Sequence, residues 1–134
     1  MDIHINYLAV ILAAAANYII GAIWYSALFG KQWKALSGIS EMKPTAPAIF
    51  LGIVGALLMS YVLDHAIIYA SGYMKVSGIG AGIMCGFFNW LGFIAPVTLG
   101  TVLYEKKSWN FWILNSSYWL ISLLVMGVIL SLWK

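Results

Sequence analysis

Four apolar stretches, at about residues 5–29, 48–69, 79–104 and 111–133, take up most of this 134-residue chain. Each reaches the roughly 20 residues that a helix needs to cross about 30 Å of hydrocarbon. Lipid offers no partner for an open backbone N–H or C=O, so the spans must be helices, whose bonds close within the segment. The composition leaves little else for the chain to be. It is 63% hydrophobic and 8% charged, whereas a water-facing domain carries about 25% charged residues. The connections are short, which makes successive helices antiparallel neighbours. The expected fold is all-α, an integral membrane up-down four-helix bundle in a single transmembrane domain over 1–134.

All seven basic residues are lysines, and they lie in connections or at the end of the chain. Scattered in this way they form no basic face for nucleic acid, but they do set orientation. Lys31, Lys34, Lys43, Lys106 and Lys107 fall on one side, Lys75 and Lys134 on the other. Basic residues accumulate on the cytoplasmic side, so the first and third connections are expected inside and both termini outside. Ala13 to Ala16 resemble a small-residue cleavage site, yet no basic segment precedes them and the apolar run continues, so an uncleaved first span is expected. The single cysteine, Cys85, excludes an intrachain disulfide and a cysteine-rich metal site. No zinc-ligand spacing is present.

The first connection is the longest. Trp33, Leu36 and Ile39 recur at near-helical spacing beside Lys31 and Lys34, which fits a short helix lying in the interface. Gly38 and Ser40 oppose it and leave an irregular loop as the alternative. Thr45 can cap the second span, with Pro47 in its first turn. Aromatic residues mark the boundaries, with Trp24, Tyr25, Phe29, Tyr104, Trp109 and Trp112 toward the lysine-rich side. Trp90 and Trp119 lie deep, where an indole N–H needs an acceptor.

Helices in lipid associate by close packing of small residues. The first span has Ala9, Ala13, Asn17 and Gly21 at four-residue spacing; the second has Ala48, Gly52, Ala56, Ser60 and Asp64; the third has Gly78, Gly82 and Gly86. Polar residues join these stripes. At 1.5 Å per residue, Asp64 lies about 8 Å below the outer interface, Asn89 about 15 Å, Asn17 about 18 Å and Asn115 about 24 Å. Converging faces would make them a polar ladder, either a route for a cation or polar solute or plain interhelical glue. In the ladder reading Asn17 and Asn89 meet directly or through water. His65 follows Asp64 in a stripe with Tyr61, Tyr69 and Tyr73 and could relay protons, or simply bond a Tyr at the interface while Asp64 reaches the headgroups. Pro96 removes a backbone bond in mid-span and predicts a kink. Asn17 with Gly21 and Asn89 with Gly92 hint at a duplicated two-helix unit.

The run from Asn17 to Trp33 contains Gly21-x-x-Trp24-Tyr25-Ser26 followed by Phe29-Gly30-Lys31 and Trp33. It resembles the signature of a bacterial membrane family known as domain of unknown function 1761. Gly92-Phe93, Tyr104-Glu105-Lys106-Lys107, Asn115 and Trp133 extend the resemblance over nearly the whole chain. Lys107 departs from the pattern, which often has Arg there. The resemblance implies four membrane helices and a bacterial inner-membrane location, and it implies no activity.

No nucleophile, base and orienting group come together in the apolar spans, so an enzyme is not expected, nor is a cofactor. The expected role is a non-catalytic ligand- or lipid-binding or accessory membrane protein. The alternative is a small transporter or channel built on the ladder, which four helices could form only as a homo-oligomer. Candidate binding residues are Asn17, Trp24, Tyr25, Asp64, His65, Asn89, Trp90 and Asn115. The expected partners are the bilayer itself and a lipid or small hydrophobic molecule.

Overall fold

The computed structural model describes residues 3–39 and 43–133, which are helical with no strand among them. Helix α1 (Tyr7–Ile23) starts at Asn6, whose Oδ1 accepts from the N–H groups of Leu8 and Ala9 at 3.1 and 3.3 Å. It runs into a wide π turn, Trp24–Leu28, closed by Phe29 N–H on Trp24 O at 2.9 Å. The short helix α2 (Gly30–Ser37) realises the helical alternative for the first connection. Gly38 ends it at φ 78°, a left-handed conformation open to glycine, and donates to Lys34 O. Helix α3 (Ala46–Met74) is capped by Thr45, with Pro47 in its first turn.

The third span comprises α4 (Ile79–Asn89), a second π turn (Trp90–Ile94), and the short α5 (Ala95–Thr98) and α6 (Gly100–Leu103). Pro96 is seated just beyond the wide turn, so the expected kink is a local widening that absorbs the missing N–H. Ser108 caps α7 (Trp109–Leu132), its Oγ accepting from Phe111 N–H at 3.1 Å. Four helices are thus long and apolar enough to cross a membrane: Tyr7–Leu28, Ala46–Met74, Ile79–Leu103 and Trp109–Leu132. The second runs past the expected residue 69, because polarity at the end of a span marks where lipid stops and not where a helix must.

The spans form an up-down ring in which α7 packs most extensively, against α4 on one side and α1 on the other. Helix α3 closes the ring between α1 and α4. As a result 44% of the apolar window of α7 is buried, against 17% for α3. The tightest contact joins the third and fourth spans. A Cβ on Gly82 would run into the carbonyl of Gly127, and one on Gly86 would stand 2.7 Å from Leu123 O. At Gly82 and Gly127 the backbones touch because neither helix carries a side chain there.

Ala9, Ala13 and Asn17 are buried as their stripe predicts, and Ser60 Oγ donates 2.8 Å to Val10 O across the α1–α3 interface. The α3 stripe holds only in part. Ala56, Ser60 and Asp64 face inward, whereas Ala48 and Gly52 are exposed with the rest of the first two turns. Gly82→Ala should therefore lower unfolding free energy in mixed micelles by about 1–3 kcal/mol, the usual range for overpacking. Gly52→Ala, whose nearest obstacle is a Tyr18 ring carbon at 3.5 Å, should stay within about 0.5 kcal/mol of the parent. The reverse order would move the central contact elsewhere.

Candidate functional site

The polar residues fall into three separate settings. The first is a hydrogen-bonded file between α1 and α7. Asn17, 4% exposed, accepts on Oδ1 from the Tyr118 hydroxyl at 2.7 Å and from Ser122 Oγ at 2.6 Å. Both lone pairs of that oxygen are thereby used. Gly21 makes the room, since a Cβ there would lie 2.9 Å from the Tyr118 oxygen. Tyr118 stands edge-on to Tyr25 at 5.3 Å between centroids, and the Tyr25 hydroxyl donates 2.7 Å to Asn115 Oδ1. The π turn carries both Trp24 and Tyr25 toward α7, where Trp24 Nε1 donates 3.1 Å to Leu114 O. Ser26, next in the run, bonds back to Ala22 O within its own helix.

The third span repeats this device. Its π turn also begins with a tryptophan, and Trp90 Nε1 donates 2.8 Å to Ser116 O, two residues along α7 from the acceptor of Trp24. Trp112 returns a bond from α7, its Nε1 lying 3.2 Å from Ala95 O and 3.1 Å from Thr98 Oγ1. Three indoles thus find acceptors inside the bundle, as buried indole N–H groups must. The wide turns are not in register with the Asn17–Gly21 and Asn89–Gly92 pairs, since the first begins seven residues after Asn17 and the second directly after Asn89.

Asn89 occupies the second setting. It lines a cavity of about 440 Å³ between α3, the third span and α7, walled by Leu58, Val62, Leu63, Phe93 and Leu123. Its Nδ2 donates back to Cys85 O at 2.8 Å, and its Oδ1 receives no hydrogen bond among the described residues. Phe93, Val62 and Leu58 are 71%, 62% and 59% exposed, so the mouth opens sideways, toward lipid. The expected Asn17–Asn89 bond is absent. Equal depth does not make them neighbours, because the first and third spans occupy opposite corners of the ring.

Asp64 and His65 form the third setting. Asp64 is buried at 6% exposure beside Leu63 and Ile67. His65, about 100° further round the helix, is partly exposed. Its Nδ1 lies 2.8 Å from Tyr61 O, and its ring sits 4.4 Å from that of Tyr61 and 6.2 Å from that of Tyr69. No group of three or more metal-ligating side chains occurs among the described residues. Asn17 and Asn89 therefore do not meet in one ladder.

Sequence reasoning missed Tyr118, Ser122 and Gly127. A signal existed: Asn115, Tyr118 and Ser122 follow the spacing of one helix face within an otherwise apolar span. Tyr118→Phe should lower stability by about 0.6 kcal/mol, the bilayer average for an interhelical bond. Asn17→Leu, which removes the amide acceptor shared by both hydroxyls and leaves Tyr118 only the Asn17 backbone carbonyl at 3.1 Å, should lower it by about 1–3 kcal/mol. Additive losses in the double variant, read from unfolding curves in micelles, would break the file into unrelated contacts.

Residues 8–131 match the model of a family described as "Protein of unknown function (DUF1761)". No curated protein and no solved structure matches the chain. On the extent of that match, the chain belongs to the DUF1761 family.

Proposed function

We propose that this family member is a non-catalytic membrane protein that binds an apolar molecule carrying one hydrogen-bond donor, in the lateral cavity at Asn89. The observation that carries the reading is the Asn89 Oδ1, a lone acceptor on an apolar wall that opens toward lipid. Ligand sites are characteristically apolar, with a few polar groups that fix orientation. A hydroxyl or amide N–H of the ligand would satisfy the oxygen, and the chain of the ligand would lie along Leu58, Val62 and Phe93. The hydrogen-bonded file at Asn17 supports no such role, because its acceptor is already used by Tyr118 and Ser122. We place the protein in a bacterial inner membrane on the resemblance described above, with both termini outside on the five-to-two lysine split.

In nanodiscs, a long-chain alcohol bearing a diazirine should crosslink to the segments around Leu58 and Phe93. The same chain with its hydroxyl methylated should compete about fivefold less well, the worth of one neutral hydrogen bond. Asn89→Leu should erase that difference, and Val62→Trp should block labelling by filling the cavity. Labelling spread evenly over the lipid-facing surface and indifferent to Val62→Trp would sink the proposal. Orientation has its own check. Alkaline phosphatase fused to the C-terminus should be active, since it needs an oxidising compartment for its disulfides.

A further inference from the structure

A second cavity, of about 510 Å³, lies at the end of the bundle that carries the first and third connections. Trp24 and Phe29 from the end of the first span, Gln32 and Leu36 from α2, and Asn110 and Ser117 from α7 line it. Helix α2 follows directly on the first membrane span, so this cavity sits at the level of the lipid headgroups and glycerol esters.

Three contacts hold α2 in place and keep the cavity open. Lys107 Nζ donates 2.8 Å to Ser37 O, where a cation also meets the negative end of the helix. The Trp33 ring stands edge-on to Tyr25 at 5.9 Å, and Gly30 is buried under the carbonyl of Tyr25, 3.1 Å from where a Cβ would be. Gln32, Ala35 and Leu36 share the α2 face toward the cavity, with Lys31 exposed at its edge and Lys34 exposed on the far face. The side-chain amides of Gln32 and Asn110 have no hydrogen-bond partner among the described residues.

The charge at this rim is one-sided. Lys31, Lys34, Lys106 and Lys107 stand on α2 and the turn before α7, and Glu105 is the only carboxylate in the described parts of these segments. The combination of an apolar wall, two free amides at ester depth and a lysine rim points to an anionic diacyl phospholipid as the occupant. One acyl chain lies along Phe29 and Leu36, the amides of Gln32 and Asn110 donate to ester carbonyls, and the phosphate meets the lysines. The site is separate from the cavity at Asn89, so either can fail without the other.

Native mass spectrometry of the protein released from mixed micelles reads this directly. With equal phosphatidylglycerol and phosphatidylcholine, wild type should retain one phosphatidylglycerol in preference by at least about tenfold. Each lysine near an anionic headgroup contributes about fivefold. Lys31→Gln should reduce that preference about fivefold with an unchanged melting curve. Ser117→Phe, which fills the cavity, should lose the retained lipid while the lysines remain. Added glycerol phosphate should not displace it, because the acyl chain supplies part of the binding. Equal retention of the two lipids by wild type overturns the proposal. So does a preference unchanged in both variants, or one lowered in the lysine variant but kept in Ser117→Phe. Displacement by glycerol phosphate would assign the lysines to free phosphate and overturn it equally.

Discussion

Two helix backbones in contact, at Gly82 and Gly127, are the constraint on which the other features depend. Apolar side chains gain nothing in lipid by meeting each other instead of acyl chains, so close packing and hydrogen bonds must hold the helices together. Direct backbone approach maximises dispersion contacts per residue, and it brings the polar groups of α7 within reach of the third span. Trp90 can then touch Ser116 O, and Trp112 can reach back to Ala95 and Thr98. A single methyl at Gly82 would push the two helices apart and stretch all three bonds. The most enclosed helix is therefore also the one that carries a partner of each of these bonds.

The wide turns belong to the same economy. An indole N–H inside a bilayer has few acceptors other than the carbonyls of a neighbouring helix, and those face along the helix axis. One residue more per turn shifts the phase of everything after it by about 100°. In the first span this lets Trp24 and Tyr25, consecutive in sequence, both address α7, one through Leu114 O and one through Asn115. In the third it lets Trp90 reach α7 and also seats Pro96, which has no N–H to give. Local irregularity in the odd spans is thus matched to regular helix in the fourth.

Much of the architecture was legible in the sequence because bilayer thickness sets it. Four apolar runs of sufficient length, the Thr45 cap with Pro47, and the inward Ala9–Ala13–Asn17 face all follow from composition and helical spacing. The partners of Asn17 did not follow, because depth along a span says nothing about which corner of a ring the span occupies. An up-down ring sets the first and third spans diagonally, which separates Asn17 from Asn89 however well their depths agree. Nor did the α3 stripe reveal that it was half used. Ala48 and Gly52 have the same spacing as Ala56 and Ser60, but whether another helix stands opposite them depends on the tilt of α3. The π turns leave no mark that spacing alone could register, since regular periodicity is assumed in reading it.

The position of α3 explains two of the cavities in so small a bundle. At 29 residues it is the longest helix, about 43 Å at 1.5 Å per residue, and it exceeds the hydrocarbon thickness, so it must tilt or protrude. It is bonded to α1 through Ser60 but lies loosely against α4 and α7. Gaps open on both flanks: the cavity at Asn89, and another of about 490 Å³ against α1, bordered by Ile11, Tyr18, Ile53 and Leu57. In water such gaps would be destabilising, because each would leave apolar surface unpacked. In a bilayer they fill with acyl chains, so opening them is nearly neutral. The gap at Asn89 carries an amide oxygen that receives no hydrogen bond among the described residues. On the function proposed above, that oxygen would let the gap select a ligand, whereas a wholly apolar groove takes any lipid chain.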